Sequence, residues 1–379
     1  MIHLRHLSLS VVILLCATLD CKPAYSREIT DELDVKIGQM LMIGFRGLEV
    51  TQSHPIVQDI RNRHIGGVIL FDHEVPTRTT FRNIQSPVQV KALTASLQNS
   101  SSIPLLIAID QEGGRVNRLK REFGFPPTVS AQYLGSINNL DTTRKYSEII
   151  AATLAEAGIN LNFTPVVDLN TNSDNPIIGK LERSFSADPN IVTRHALEVI
   201  KTHRRHGILS TIKHFPGHGS SRNDSHKGFV DVTNTWSDSE LTPFLKIVKT
   251  GETNVVMTAH IFNAKLDPSH PATLSSPIIT GILRNKLKYD GVVVSDDMQM
   301  EAISVNYSLE TAIELAIQAG VDILVFANNS VYEEDIAERA VGIIKKLVLK
   351  GNISRERIDQ SYRRILHLKS QADFLQRHN

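Results

Sequence analysis

The chain has 379 residues, 41% of them hydrophobic, with 41 basic side chains against 40 acidic ones. That apolar share suits a large packed core and excludes a disordered chain, and the even charge leaves no basic face for nucleic acid. A soluble enzyme or binding protein is the expectation.

The N-terminus differs from the rest. "MIHLRHLSLSVVILLCATLDCKPAYSR" carries Arg5, an apolar run from Leu7 to Leu19, and the small-residue stretch Ala24-Tyr25-Ser26. This three-part layout reads as a secretory signal over residues 1–26, cleaved after Ser26, with residues 27–379 as one exported domain, periplasmic or secreted. The run is shorter than the ~20 residues of a spanning helix, so no stable membrane span is expected. A buried N-terminal helix is the alternative. Both cysteines, Cys16 and Cys21, fall inside this segment, so the mature protein would hold no thiol or disulfide and would depend on its core. A lipid on Cys21 is disfavoured by Asp20 beside it.

Beyond Ser26, apolar runs alternate with helix-period stretches. The runs are "GGVILF" (66–71), "PLLIAID" (104–110), "NLNFTPVVD" (160–168), "LSTIKHF" (209–215), "NVVMTAH" (254–260), "GVVVSD" (291–296) and "DILVF" (322–326). Continuous Val, Ile and Leu without alternation predicts parallel strands covered on both faces. Helices are predicted over 141–158, 188–207 and 308–320, each closed by a glycine (Gly158, Gly207, Gly320) just before the next apolar run. Seven or eight such units without a linker predict a single-domain α/β protein, a (β/α)8 TIM-type barrel. A doubly wound sheet is the runner-up, but no G-x-G-x-x-G loop is present. If "GGVILF" is the first strand, the following segment 73–90 is a longer loop than a first βα connection needs.

In a barrel, function gathers where strands pass into βα loops. Here those ends carry Asp110, Asp168, Lys213-His214, His260 and Asp296. One polar residue after a strand is usually a helix cap, but five on different strands imply a shared mouth. In "DQEGGRVNR", Asp110 precedes a glycine turn and then Arg115 and Arg118, a carboxylate with guanidinium groups suited to sugar hydroxyls. The bland alternative is a surface ion pair. Arg183 lies in an irregular loop before a helix opened by Asp188-Pro189, and alone it would read as solvated.

The most informative stretch is "KHFPGHGSSRNDSH" (213–226). His214, His218 and His226 do not follow a zinc spacing, and no metal is expected. Asp224, two residues before His226, can hold one ring nitrogen and raise the basicity of the other, which makes a general acid/base. In "VVVSDDMQM", Asp296 would face the mouth as nucleophile or base, while Asp297 could cap the turn.

With these residues in view, the chain resembles glycoside hydrolase family 3, in its single-domain β-N-acetylhexosaminidase (β-N-acetylglucosaminidase) branch. K-H-F-P-G-H-G followed four residues later by D-S-H carries the resemblance, which extends from "IGQMLMIGFRG" to the C-terminal helices. It implies Asp296 as nucleophile, His226 as acid/base assisted by Asp224, and Asp110, Arg118, Arg183, Lys213 and His214 as the substrate pocket. It also implies no cofactor and a small glycan as the binding partner; the sequence does not set the oligomeric state, and a monomer is the expectation. Peptidoglycan fragments or chitin-derived glycans are the expected substrates. Because a deprotonated histidine is neutral and does not repel an anionic acceptor, a phosphorylase using the same Asp and His is an alternative. A zinc hydrolase and a non-catalytic sugar-binding protein are alternatives from other classes.

Overall fold

The computed structural model describes residues 25–377 except 78 and 80. Residues 1–24, with both cysteines and nearly all of the expected signal, lie outside the described residues. Eight strands form the centre: β1 (Leu41–Gly44), β2 (Gly67–Leu70), β3 (Leu106–Ile109), β4 (Leu161–Asn162), β5 (Leu209–Phe215), β6 (Val255–Thr258), β7 (Val292–Asp297) and β8 (Ile323–Phe326). Each pairs in parallel with the next, and β8 pairs back to β1, closing the barrel. Closure removes every sheet edge and excludes the doubly wound alternative.

The helices are α1 (Tyr25–Gln39), α2 (Pro55–Asn62), α3 (Pro87–Gln98), α4 (Ala131–Ile137), α5 (Leu140–Glu156), α6 (Pro189–Arg205), α7 (Leu241–Thr250), α8 (Glu301–Ser304), α9 (Leu309–Ala319), α10 (Ile336–Leu349) and α11 (Arg355–Arg377). A wide-turned π-helix, Pro277–Lys286, connects β6 to β7. The local sequence explains the helix ends. Asp188 accepts a hydrogen bond from Asn190 N at 2.8 Å with Pro189 in the first turn of α6. Gly158, Gly207 and Gly320 all adopt positive φ directly after α5, α6 and α9, which a side chain would resist.

Two expectations are corrected. "GGVILF" contains the second strand, because "LMIG" at 41–44 forms β1; four apolar residues directly after a helix gave no separate strand signal. Segment 73–90 is not all loop, since α3 begins at Pro87 behind a Ser86 cap. α1 begins at Tyr25, one residue before the expected cleavage point at Ser26.

At the N-terminal end of the barrel, Asp322 ties several elements together. It accepts from Val293 N at 3.0 Å, Ser361 Oγ at 2.7 Å and Arg284 Nη2 at 2.6 Å, with Arg357 and Arg364 at 3.4 Å. Close by, Lys369 of α11 reaches under the strands to donate to Gln39 Oε1 at 2.7 Å and to the Gly66 carbonyl at 2.8 Å. Among the described residues no helix is long and apolar enough to cross a membrane.

Candidate active site

The opposite, C-terminal end of the barrel opens into a pocket of about 310 Å³. Ile69, Phe163, Met257 and Val325, inward-facing residues of the strands or their ends, contribute its apolar surface. Register shifts interrupt the β5–β6 pairing between Ile212 and Phe215, and the β7–β8 pairing between Val294 and Asp297. These irregularities lie where Lys213-His214 and Asp296-Asp297 leave the strands. Such breaks in a ladder re-aim side chains at barrel rims.

Asp296 and Asp297 both line the pocket, but their surroundings separate them. Burial alone would raise the Asp296 carboxyl; His260, His214 and His226 and the Asp297 N–H outweigh it and bring it to about 2. Burial pushes Asp297 up to about 6, against hydrogen bonds from Ala327 N and Gln299 N, with the Asp296 charge adding to the rise. Those bonds, 3.0 and 3.1 Å to Oδ1, spend Asp297 on the turn after β7 and on β8. Asp296 therefore stays ionised at neutral pH and faces the pocket. His260, expected at the mouth, sits behind this pair, held by Thr273 Oγ1 at 2.8 Å and the Asp297 carbonyl at 2.9 Å.

The loop from Pro216 to His226 is pinned at its base and open at its tip. Gly219 passes so close to Leu169 that a Cβ would come within 1.8 Å of its carbonyl oxygen. Trp236 Nε1 donates to Pro216 O at 3.1 Å, and Gly219 N donates to Glu240 Oε2 at 3.0 Å. At the tip, Asp224 Oδ1 holds His226 twice, at 2.9 Å through its backbone N and at 2.8 Å through Nδ1. Among the described residues the other ring nitrogen, Nε2, has no hydrogen-bond partner. The His226 side chain is 53% exposed yet lines the pocket. Burial would lower its pKa, but the Asp224 bond and the Asp296 charge win and raise it above the ordinary value.

The three histidines of this stretch go separate ways. His214 Nδ1 meets Asp168 Oδ2 at 2.6 Å, while Arg183 donates to its Nε2 at 3.3 Å. His218 bonds Ser221 Oγ at 2.6 Å and Ser225 Oγ at 3.3 Å. Asp168, fully buried, also accepts from His218 N at 2.7 Å, so it organises the loop behind the pocket and does not line it. Among the described residues no three His, Cys, Asp or Glu side chains are placed to share a metal ion.

Every residue expected in the substrate pocket lines it: Asp110, Arg118, Arg183, Lys213 and His214. Lys213 Nζ, fully buried, donates to Asp110 Oδ1 at 2.7 Å. Arg118 lies 5.5 Å over the Phe71 ring and 3.6 Å from Asp72 Oδ1. Arg183 keeps a side chain only 9% exposed, contrary to the solvated arginine its loop suggested, because Glu112 clamps it: Nε and Nη2 donate at 2.8 and 2.7 Å. Glu112 also pairs with Lys213 Nζ at 2.7 Å. The sequence reading passed over Glu112, although it stands two positions beyond Asp110 in the same loop. Gly113 and Gly114, both at positive φ, fold that loop back, and a Cβ on Gly114 would meet Ser130 at 2.6 Å.

A closed parallel barrel with an ionised strand-end aspartate and an aspartate-backed imidazole on one pocket defines a class, the barrel enzymes that work on glycosidic bonds with paired groups. The comparison with known families narrows this. The chain belongs to glycoside hydrolase family 3: the family's N-terminal domain matches residues 32–368. Beta-hexosaminidase A of Pseudoalteromonas piscicida is 34% identical over 377 residues, covering 88% of this chain and 60% of that protein. Beta-hexosaminidase of Nitrosomonas eutropha is 35% identical over 304 residues, covering 76% of this chain and 80% of the other. A solved family 3 beta-N-acetylglucosaminidase from Paenibacillus sp. str. FPU-7 superposes with a TM-score of 0.82 at 36% identity, covering 90% of this chain and 62% of that one. The chain thus spans about three-fifths of the length of two of these relatives.

Proposed function

We propose that the protein is a retaining β-N-acetylhexosaminidase that releases terminal N-acetyl-β-D-glucosamine from peptidoglycan- or chitin-derived glycans. The observation that carries this is the pairing, on one pocket, of a carboxylate held ionised with an imidazole whose proton affinity is raised. Asp296 attacks the anomeric carbon as the glycosidic bond breaks, and His226 Nε2–H gives its proton to the leaving oxygen. His226, now neutral, takes a proton from water, which displaces Asp296 and frees the sugar with its configuration retained. Asp224 fixes the ring's tautomer and stabilises the protonated form. Asp110, Arg118, Arg183, Lys213 and His214 hold the sugar through its hydroxyl and N-acetyl groups.

Hydrolysis is favoured over phosphorolysis because the curated relatives carry hexosaminidase names. An exported location belongs to the same proposal and rests on the sequence of residues 1–26. The test is turnover of an aryl N-acetyl-β-glucosaminide with phosphate present, followed by trapping with a slow fluorinated substrate. Free N-acetylglucosamine as product and a label on Asp296 are expected, with Asp296→Asn folded but inactive. A sugar 1-phosphate product, or a label elsewhere, would overturn the reading.

A further inference from the structure

Four arginine and lysine side chains line the pocket, and each has a carboxylate partner. Arg115 pairs with Glu182 at 3.2 Å, Arg118 with Asp72 at 3.6 Å, Lys213 with Asp110 at 2.7 Å, and Arg183 with Glu112 at 2.7 Å. Glu112 differs from Asp110 in position. It does not line the pocket; its side chain is 6% exposed and lies behind the wall, where it holds Arg183 through both oxygens and Lys213 through one. A bidentate arginine–carboxylate pair fixes the guanidinium plane as well as cancelling its charge. Without Glu112, Arg183 would keep hydrogen bonds only to the Ile177 carbonyl and the His214 ring, with Asp110 and Asp168 acting on it through space and not by a direct bond, and Lys213 would depend on Asp110 for its ion pair.

We infer that Glu112 is a positioning residue that neutralises the cationic wall from behind, so that the pocket accepts an uncharged sugar and refuses an anionic one. This rests on the proposed hydrolase reading and goes beyond it by assigning the charge selectivity of the site. The physical logic is that of specificity by an unfavourable alternative. Asp296 and Asp110 already face the ligand, so an anion gains nothing from cations whose charge is spent and is repelled by the carboxylates. Freeing one guanidinium would reverse that locally, because an unpaired arginine fork is a ready receptor for phosphate or carboxylate.

The test compares Glu112→Gln, Glu112→Asp and the double variant Glu112→Gln/Arg183→Gln with the wild type, with thermal unfolding as the check of folding. In Glu112→Gln, KM for the aryl substrate should rise more than kcat falls, and inorganic phosphate should inhibit at a concentration about tenfold or more below that needed for the wild type. Glu112→Asp, which keeps the charge, and the double variant, which removes the pair, should both be as insensitive to phosphate as the wild type. On the wild type itself, N-acetylglucosamine should compete at least about tenfold better than its C6 carboxylate analogue. A folded Glu112→Gln no more sensitive to phosphate than the wild type overturns the inference. So does a carboxylate analogue that binds as well as the neutral sugar, a result available even if Glu112→Gln does not fold. Asp296→Asn run beside them separates the two failures, since its retained activity would sink the hydrolase reading without bearing on phosphate sensitivity.

Discussion

In the proposed mechanism His226 needs a proton to give, and Asp224 decides how far up the pH scale it keeps one. Its pKa lies above the ordinary histidine value, so the donor form persists to higher pH than in a free imidazole, while Asp296 is ionised well below that range. Activity as kcat/KM should therefore fall on the alkaline side as His226 loses its proton. Replacing Asp224 with Asn removes the partner that raises the pKa, so this descending limb should move to lower pH. A limb that does not move would detach Asp224 from the titration. His226→Ala should slow substrates with poor leaving groups about a hundredfold more than activated aryl ones, because only the former need the proton. Equal losses on both substrates would remove the acid role. These two residues were readable from the sequence, since D-x-H brings the pair within bonding reach whatever the surrounding fold. Glu112 was not, because its partner Arg183 is distant in the chain and a carboxylate in a polar loop looks solvated until the barrel closes around it.

Elements decide where these groups point. Most strands were evident as unbroken apolar runs, and the glycines closing α5, α6 and α9 marked the turns into them. β1 was hidden because its four residues continue the apolar pattern of α1, and the π-helix between β6 and β7 leaves no trace in periodicity. The acid/base loop was read as catalytic, but its anchorage was invisible, since it comes from Glu240 and Trp236 beyond the motif. Burial pushes the Glu240 carboxyl up to about 7, with Ser220 opposing and Asp168 adding to the rise. A folded value above the usual 4.5 means that its contribution to stability is complete below pH 4.5 and lost as pH rises through 7. Glu240→Gln keeps an acceptor for Gly219 and never ionises. Its stability relative to the wild type should therefore rise between pH 5 and pH 8, by up to about 3 kcal/mol. Denaturant melts at the two pH values measure this, and a difference that shrinks as pH rises would contradict the buried titration.

At the scale of the whole molecule, the barrel divides its electrostatics between two ends. The mouth holds Asp296 and His226, and the floor holds Asp322 among Arg284, Arg357 and Arg364. Because Asp322 is fully buried, Asp322→Asn would leave three guanidinium groups without their shared anion. A loss of roughly 3–5 kcal/mol in unfolding free energy is expected, with activity per folded molecule unchanged. Chemical denaturation together with active-site titration separates the two effects. A loss below about 1 kcal/mol would show that the knot is dispensable.

The placement of α11 has a practical consequence. Its Lys369 sits under the strand starts, on the side away from the pocket. A bead attached through the Lys369 stretch of that helix would lie beneath the barrel like a pedestal. The pocket would then look outward, unobstructed by the support.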